Sequence, residues 1–320
     1  MRHQNLLVIG GDGFIGSHLV AQLAAQGRNV VVPARRRERG KHLILLPGVD
    51  VVEADVNDAA MLDRLAQGRD AVVNLVGILH GDTGRPYGKA FAAAHVELPK
   101  KIVAACRAAG VRRLLHMSAL GADADAPSMY LRSKADGERA AFSDPSMAVT
   151  VFRPSVVFGR EDKFLNLFAK LQRWFPVMPL AGANARFQPV HVLDVANAFV
   201  NALDDPATFG RTYELVGPRV YTLAELVRLA GAASGNPRPV VPLPSPLGRM
   251  QAALMEFAPG PTLMSRDNFD SMKLANVGSG SLPGFADLGI NPTAIEAEAP
   301  IYLSGQHPRT RYDHLRQKHP

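Results

Sequence analysis

At 320 residues and 47% hydrophobic, the chain is long enough to bury one large core or two smaller ones, which points to one or two globular domains. Its longest apolar runs, such as residues 70–79, are strand-sized and fall short of the roughly 18 to 20 residues that a membrane-spanning helix needs. A formal charge of +7 invites an anionic partner. The basic clusters, Arg35 to Lys41 and the tail with Arg309, Arg311, Arg316 and Lys318, lack interleaved aromatics, which argues against nucleic acid. Cys106 is the single cysteine, so no internal disulfide can form, and a small core residue in a reducing compartment is the expected role. The first strand begins within a few residues of the start, leaving no room for a signal peptide, and the expected location is cytoplasmic.

In chain order, the first signal is Leu6 to Ile9, a short apolar strand, followed by Gly10-Gly11-Asp12-Gly13-Phe14-Ile15-Gly16 and a helix to Gln26 with Ile15, Leu19 and Leu23 on one face. In such a turn Gly10 permits the tight reversal, Gly13 leaves room for a phosphate, and Gly16 lets the helix pack closely on the sheet. The backbone of Phe14 and Ile15 then presents first-turn N–H groups and the helix dipole to an anion, which suits a dinucleotide pyrophosphate. Asp12 is expected to point away from it.

Strands follow at Asn29–Ala34, Val49–Glu53 and Asp70–Val76, a helix at Ala90–Ala109, a strand at Val111–Met117, a helix at Tyr130–Phe142 and a strand at Ala148–Phe152. This alternation predicts a doubly wound parallel sheet, whose ligands sit at the carboxyl ends of the strands. The second strand ends in Ala34-Arg35-Arg36-Arg37, where NAD-selective folds place an acid. Arg35 and Arg36 would welcome a 2′-phosphate, so NADP(H) is expected over NAD(H), although a solvated charge run would look the same. After the third strand, Asp55-Val56 offers a carboxylate to an adenine amino group or, alternatively, caps the next helix. After the fourth, Val76-Gly77 lets the backbone approach a ribose or simply turns. No metal site is predicted.

Ser118 closes the fifth strand, and Tyr130 and Lys134, four apart, share one helix face. An ammonium beside a phenol, together with an oxidised nicotinamide, favours the phenolate, so Tyr130 can exchange a proton while the cofactor exchanges a hydride. Ser118 would hold the substrate oxygen. Beyond residue 159 the pattern loosens: helices at Phe164–Phe175, Val192–Leu203 and Thr222–Ala230, a strand at Tyr213–Val216, a proline-rich extended stretch at Val240–Pro246 and a helix at Leu247–Ala258. Met250, Leu254 and Phe257 on that last helix either join a core, line an apolar substrate cleft, or dock on a membrane or partner.

With GGDGFIG, Ser118, Tyr130-Leu131-Arg132-Ser133-Lys134 and Phe152-Arg153-Pro154-Ser155-Val156-Val157-Phe158-Gly159, the chain resembles the short-chain dehydrogenase/reductase superfamily in its extended or atypical branch, of NAD-dependent epimerase/dehydratase type. Ser118 to Asp125, Phe158 to Asn166 and Arg186 to Ala196 are similar to bacterial relatives of the NAD(P)-binding accessory subunit of respiratory complex I. The resemblance runs from residue 5 to about 217. It implies a Rossmann domain over 1–160 with 186–217 returning to it, and a smaller, mixed substrate- or partner-facing region over 161–185 and 218–320. It also implies pyrophosphate at Gly10, Gly13 and Gly16, Tyr130 as acid/base with Lys134 anchoring the ribose, and Pro154 and Ser155 flanking the nicotinamide. Where relatives often carry an Asn, this chain has His95, either a proton relay near neutral pH or a packed histidine. The expected partners are a small-molecule substrate, mildly favoured to be apolar, and a respiratory complex or membrane surface, which would place the chain at the inner face of the membrane.

Overall fold

Runs rich in Val, Leu and Ile, separated by amphipathic stretches, form a βα alternation through the first half of the chain. The computed structural model describes residues 2–256 and 264–304. It contains β1 (Asn5–Ile9), α1 (Phe14–Ala25), β2 (Asn29–Ala34), β3 (Val49–Glu53), α2 (Ala59–Ala66), β4 (Ala71–Asn74), α3 (Lys89–Phe91), a π-helical stretch (Ala92–Glu97) and α4 (Leu98–Ala109). Next come β5 (Arg113–Met117), α5 (Met129–Ala141), β6 (Ala148–Pro154), β7 (Val157–Phe158), α6 (Leu165–Trp174), β8 (Met178–Leu180), β9 (Arg186–Phe187), β10 (Val190–His191) and α7 (Val192–Leu203). The rest is β11 (Arg211–Leu215), β12 (Tyr221–Thr222), α8 (Leu223–Ala233), β13 (Val240–Pro242), α9 (Ser245–Glu256), α10 (Arg266–Ser271) and α11 (Ile295–Leu303). Among the described residues, no helix is long and apolar enough to cross a membrane.

Seven strands form one parallel sheet in the order β11-β6-β5-β4-β1-β2-β3, a Rossmann-like α/β architecture. The winding reverses between β1 and β4, so the crevice that can receive a ligand opens at their carboxyl ends. Alternate residues of β1 feed two cores: Leu6 and Val8 pack with α1 and α7, whereas Leu7 and Ile9 pack with α2 and α4. Beyond β6, three two-stranded ladders and helices α6 and α8 to α11 build the smaller region around Phe158, Leu226 and Ala299 and around Met178 and Val227.

Two local readings are corrected. The helix expected over 90–109 is interrupted by the π-helical stretch, which carries His95. That interruption lies where Gly137 of α5 presses on it, since a Cβ at Gly137 would overlap the His95 carbonyl oxygen. The extended stretch ends at Pro242 and α9 already starts at Ser245, because Pro246 sits in a first helical turn, where a missing N–H costs no hydrogen bond. Phe257, Ala258 and the basic tail lie outside the described residues.

Arg113, fully buried at the start of β5, ties the sheet to α7. It donates to the carbonyls of Ala148, Ala202 and Leu203 and to the hydroxyls of Thr150 and Thr208, at 2.6 to 3.1 Å, and its guanidinium lies 4.5 Å over the Phe209 ring. Burial lowers its pKa only to about 10, so it stays charged at neutral pH. Arg113→Met strands these acceptors and is expected to cost about 3 to 5 kcal/mol in a urea unfolding titration. A loss below about 1 kcal/mol would show that the acceptors find other partners.

Candidate functional site

The glycine turn between β1 and α1 is shaped by close approach. Gly10 has φ +83°, and a Cβ at Gly16 would strike the Gly10 carbonyl oxygen and sit 2.6 Å from Gly11 Cα. Gly13 differs: an added Cβ there would meet only the Gly10 carbonyl oxygen, at 3.2 Å, so the space before it is open. Gly13 is also the N-cap of α1, with no side chain capping the helix and no acid in its first turn. Phe14 and Ile15 are half-buried beside it, and the Asp12 carboxylate is drawn to Arg39, 3.7 Å away. An uncapped N-terminus behind a glycine turn fits a dinucleotide pyrophosphate, whose charge would satisfy the free N–H groups.

At the ends of β2 and β3, Arg35 and Arg36 are exposed and make no ion pair among the described residues. Asp55 is exposed and accepts from the Asn57 backbone and side chain at 2.9 Å, hydrogen bonds that hold its carboxyl below the usual range. The helix cap is Asp58 instead, accepting from the Ala60 N–H, which removes that alternative for Asp55. Val56 is half-buried against the α2 side of the sheet. Val76 gives its N–H to the Asn74 side chain.

Ser118, Lys134 and Gly77 come together at the ends of β4 and β5. Lys134 is buried and its Nζ donates to the Met117 carbonyl at 3.1 Å, while a Cβ at Gly77 would lie 3.1 Å from that Nζ. Burial pushes Lys134 down to about 8. The Ser118 hydroxyl is buried without a hydrogen-bond partner among the described residues, an unpaired polar group at the mouth of the crevice. Its backbone is zipped to β6 through Ser118 N–H to Phe152 O and Leu120 N–H to Pro154 O.

Tyr130, on the first turn of α5, packs edge-on against His95 and Phe91. Burial raises its phenol to about 12, so in the protein alone the phenol keeps its proton, and the phenolate expected beside Lys134 is tied to an oxidised nicotinamide as well. A pull in that direction has to come from a bound cation such as an oxidised nicotinamide. Of the two readings of His95, the geometry favours the packed one. Its Nε2 accepts the Ile78 N–H at 3.0 Å, so its proton is on Nδ1 and goes to the Ser133 hydroxyl at 2.8 Å, which donates on to the Tyr130 carbonyl at 2.7 Å. Burial, with Lys134 nearby, lowers His95 to about 2, so it is a fixed neutral link and no relay near neutral pH.

Three neighbours escaped sequence reading. Asp267 of α10 accepts the Met129 and Tyr130 N–H groups at 2.6 and 3.0 Å, capping the helix that carries Tyr130 beside its own N-cap Ser128. Asn276 accepts from the Ser155 hydroxyl at 2.6 Å and the Val156 N–H at 3.1 Å, so Ser155 and the adjoining Pro154 are held by the C-terminal region. Glu138, one turn after Lys134, binds Arg153 through two bonds of 2.6 and 2.7 Å. All three pair residues distant in sequence, and no local motif announces them. On the side of α10 away from Asp267 lies a cavity of about 500 Å³, lined by Leu243, Phe269 and Met272 with Arg249 and Lys273.

The family model for the NAD dependent epimerase/dehydratase family matches residues 6–216, the span that holds the glycine turn, Ser118, Tyr130 and Lys134. The chain belongs to this family. It is 34% identical over 300 residues, 91% of this chain and 78% of the relative, to mitochondrial NADH dehydrogenase (ubiquinone) 1 alpha subcomplex subunit 9 of Mus musculus. It is 31% identical over 241 residues, 75% of this chain and 73% of the relative, to ceramide reductase of Caulobacter vibrioides. The structure of MoeE5 in complex with UDP-glucose and NAD shares the fold, with a TM-score of 0.68, 20% identity and coverage of 97% of this chain and 99% of that one.

This family member buries two neutral histidines, His95 and His116, whose pKa values burial lowers to about 2 and about 3. Both are depressed below the ordinary value near 6.5, so the stability they allow is present above that pH and is lost as pH falls toward the folded values. Urea midpoints measured between pH 7 and 4 are expected to decline, each histidine adding a slope of up to about 1.4 kcal/mol per pH unit. His116→Asn should flatten that decline; an unchanged slope would mean that His116 already carries a proton in the fold.

Proposed function

We propose that this family member is an NADP(H)-dependent oxidoreductase or epimerase/dehydratase acting at a hydroxyl or carbonyl carbon, with Tyr130 as the acid/base. The observation that supports it most is that Lys134 and the unpaired Ser118 lie at the ends of β4 and β5, with Tyr130 one turn before Lys134 on α5, in the sheet whose switch point is beside the glycine turn. A nicotinamide dinucleotide bound along that crevice would supply or accept the hydride. Gly10, Gly13, Phe14, Ile15 and Gly16 receive its pyrophosphate, Asp55, Val56, Val76 and Gly77 line the path of its adenosine and ribose, and Pro154 and Ser155 flank its reactive end. Lys134 anchors a ribose, Tyr130 moves the proton, and the unpaired Ser118 hydroxyl donates to the substrate oxygen.

NADP(H) is favoured over NAD(H) because Arg35 and Arg36 stand exposed, without an ion pair among the described residues, at the end of β2 where a 2′-phosphate would lie. An apolar substrate is favoured by the likeness to a ceramide reductase. A second reading, a cofactor-holding subunit or assembly protein of a respiratory NADH:quinone oxidoreductase, is favoured by the 34% identity to a subunit of that mitochondrial enzyme. Both readings suit a cytoplasmic protein at the inner face of the membrane.

Direct titration is expected to give tighter NADPH than NADH binding, and Arg35→Ala with Arg36→Ala should weaken NADPH by about tenfold or more while sparing NADH. Equal affinities in the parent chain would remove the NADP(H) assignment. Mass analysis of what co-purifies identifies a retained cofactor or lipid, and with a substrate in hand Tyr130→Phe should lower turnover by at least about 100-fold with cofactor affinity nearly unchanged. Retained turnover would exclude Tyr130 as the acid/base, whereas tight NADPH binding without any turnover would favour the subunit reading.

A further inference from the structure

The region beyond β6 leaves an unusual share of apolar surface in solvent. Trp174, the only tryptophan in the chain, is 76% exposed at the end of α6, followed by exposed Phe175 and Val177. On α9, Leu247, Met250 and Leu254 are 47%, 55% and 67% exposed, so the face that the sequence could have assigned to a core points outward. These positions belong to touching elements. Val177 leads into β8, which pairs with β13, where Val241 is also exposed. Gln251 of α9 then clasps β8 by donating to the Pro179 carbonyl at 3.0 Å and accepting the Ala181 N–H at 3.2 Å. Gly248, Gln251 and Ala252 therefore face the ledge while Leu247, Met250 and Leu254 turn away from it.

Charge decides what such a surface suits. From Lys163 to Leu193, and again from Leu226 to Met255, the sequence has no Asp or Glu. Lys170, Arg173 and Arg238 in these stretches are exposed and make no ion pair among the described residues, and Arg238 lies at the end of α6 through its bond to the Gln172 carbonyl. The acids nearest α9 are already occupied: Glu256 pairs with Arg266 at 2.7 Å, and Asp270 pairs with Lys273 at 2.7 Å and Arg249 at 3.8 Å. A monomer's surface rarely carries so many large apolar side chains in adjoining elements without a partner. Exposed Trp, Phe and Leu bordered by unpaired cations and free of acids match the headgroup boundary of an anionic bilayer, where apolar tips enter the acyl edge and cations meet lipid phosphates.

We propose that the end of α6, the β8–β13 ledge and the outer face of α9 form a docking surface for an anionic lipid bilayer. The proposal goes beyond the cofactor chemistry and holds whether or not Tyr130 is catalytic. Trp174 reports on it directly, because all tryptophan emission comes from the patch. The full chain is centrifuged with phosphatidylcholine vesicles and with vesicles containing phosphatidylglycerol. It should pellet with the anionic ones, with a blue shift of Trp174 emission, quenching by brominated acyl chains, and release at high salt. Leu247→Ser with Met250→Ser and Leu254→Ser should weaken partitioning by at least about tenfold. Lys170→Glu with Arg173→Glu should abolish the preference for anionic vesicles, each variant keeping the parent circular dichroism and NADPH affinity. If the serine variant loses the parent circular dichroism, the charge-reversal variant alone decides. No pelleting, equal pelleting on both vesicles, pelleting without a change in Trp174 emission, or a lipid-free dimer that shields Trp174 would each overturn the proposal.

Discussion

The candidate site depends first on how closely α1 lies over the exit of β1. With no side chain at Gly16, the helix rests against the Gly10 carbonyl and Gly11, and Gly10 takes the positive φ that turns the chain back onto the sheet. Any Cβ at Gly16 would lift α1 off the sheet and move its N-terminus. That terminus is left uncapped at the switch point between β1 and β4, so the same contact that packs the core also exposes free N–H groups to the crevice. Burial then fixes the rest of the layer: α7 lies on α1, and β11 extends the sheet beyond β6, so the chain returns to the first layer after leaving it.

The second constraint runs the other way, from the small region back to the site. Asp267 and Asn276 each place side-chain oxygens on residues more than a hundred positions earlier, at the head of α5 and the end of β6. A carboxylate at a helix N-terminus satisfies orphan N–H groups and complements the dipole, so Asp267 both caps and charges the turn that carries Tyr130. The other end of that turn is held by the chain from Ile78 through His95 and Ser133 to the Tyr130 carbonyl. Tyr130 is therefore positioned by both halves of the molecule, and loosening either half would shift it.

Legibility in the sequence follows the range of the interaction. The bounds Asn29–Ala34, Val49–Glu53 and Val192–Leu203 appear in the structure as read, because β-branched runs flanked by glycine turns, and a helical apolar period, are local signals. Ser118 follows β5, and Tyr130 and Lys134 sit on one helix, for the same reason. What was illegible is non-local. The π-helical stretch packs against Gly137, and the partners of Arg113, Asp267 and Asn276 come from elsewhere in the chain. The exposure of α9 was also illegible: apolar positions at helical spacing look the same whether they face a core or a solvent surface, and only the position of Gly248 and Gln251 against β8 decides between them.

The same distinction applies to charge. A net charge of +7 said little, yet it divides into two features with different physics. Arg35 and Arg36 are exposed at the end of β2 beside the crevice, whereas Lys170, Arg173 and Arg238 border an acid-free apolar face. Within the protein alone, burial raises Tyr130 to about 12 and lowers Lys134 to about 8, so the phenol holds its proton at neutral pH. In the reading proposed above, a resting phenol suits donation to a substrate oxygen, the proton step of a carbonyl reduction. The reverse step first needs positive charge nearby, and an oxidised nicotinamide brings that charge together with its capacity to accept hydride. In that reading the protein's own contribution would be the buried setting of Tyr130 between Phe91 and neutral His95, in which a cofactor's charge would act on the phenol with little screening.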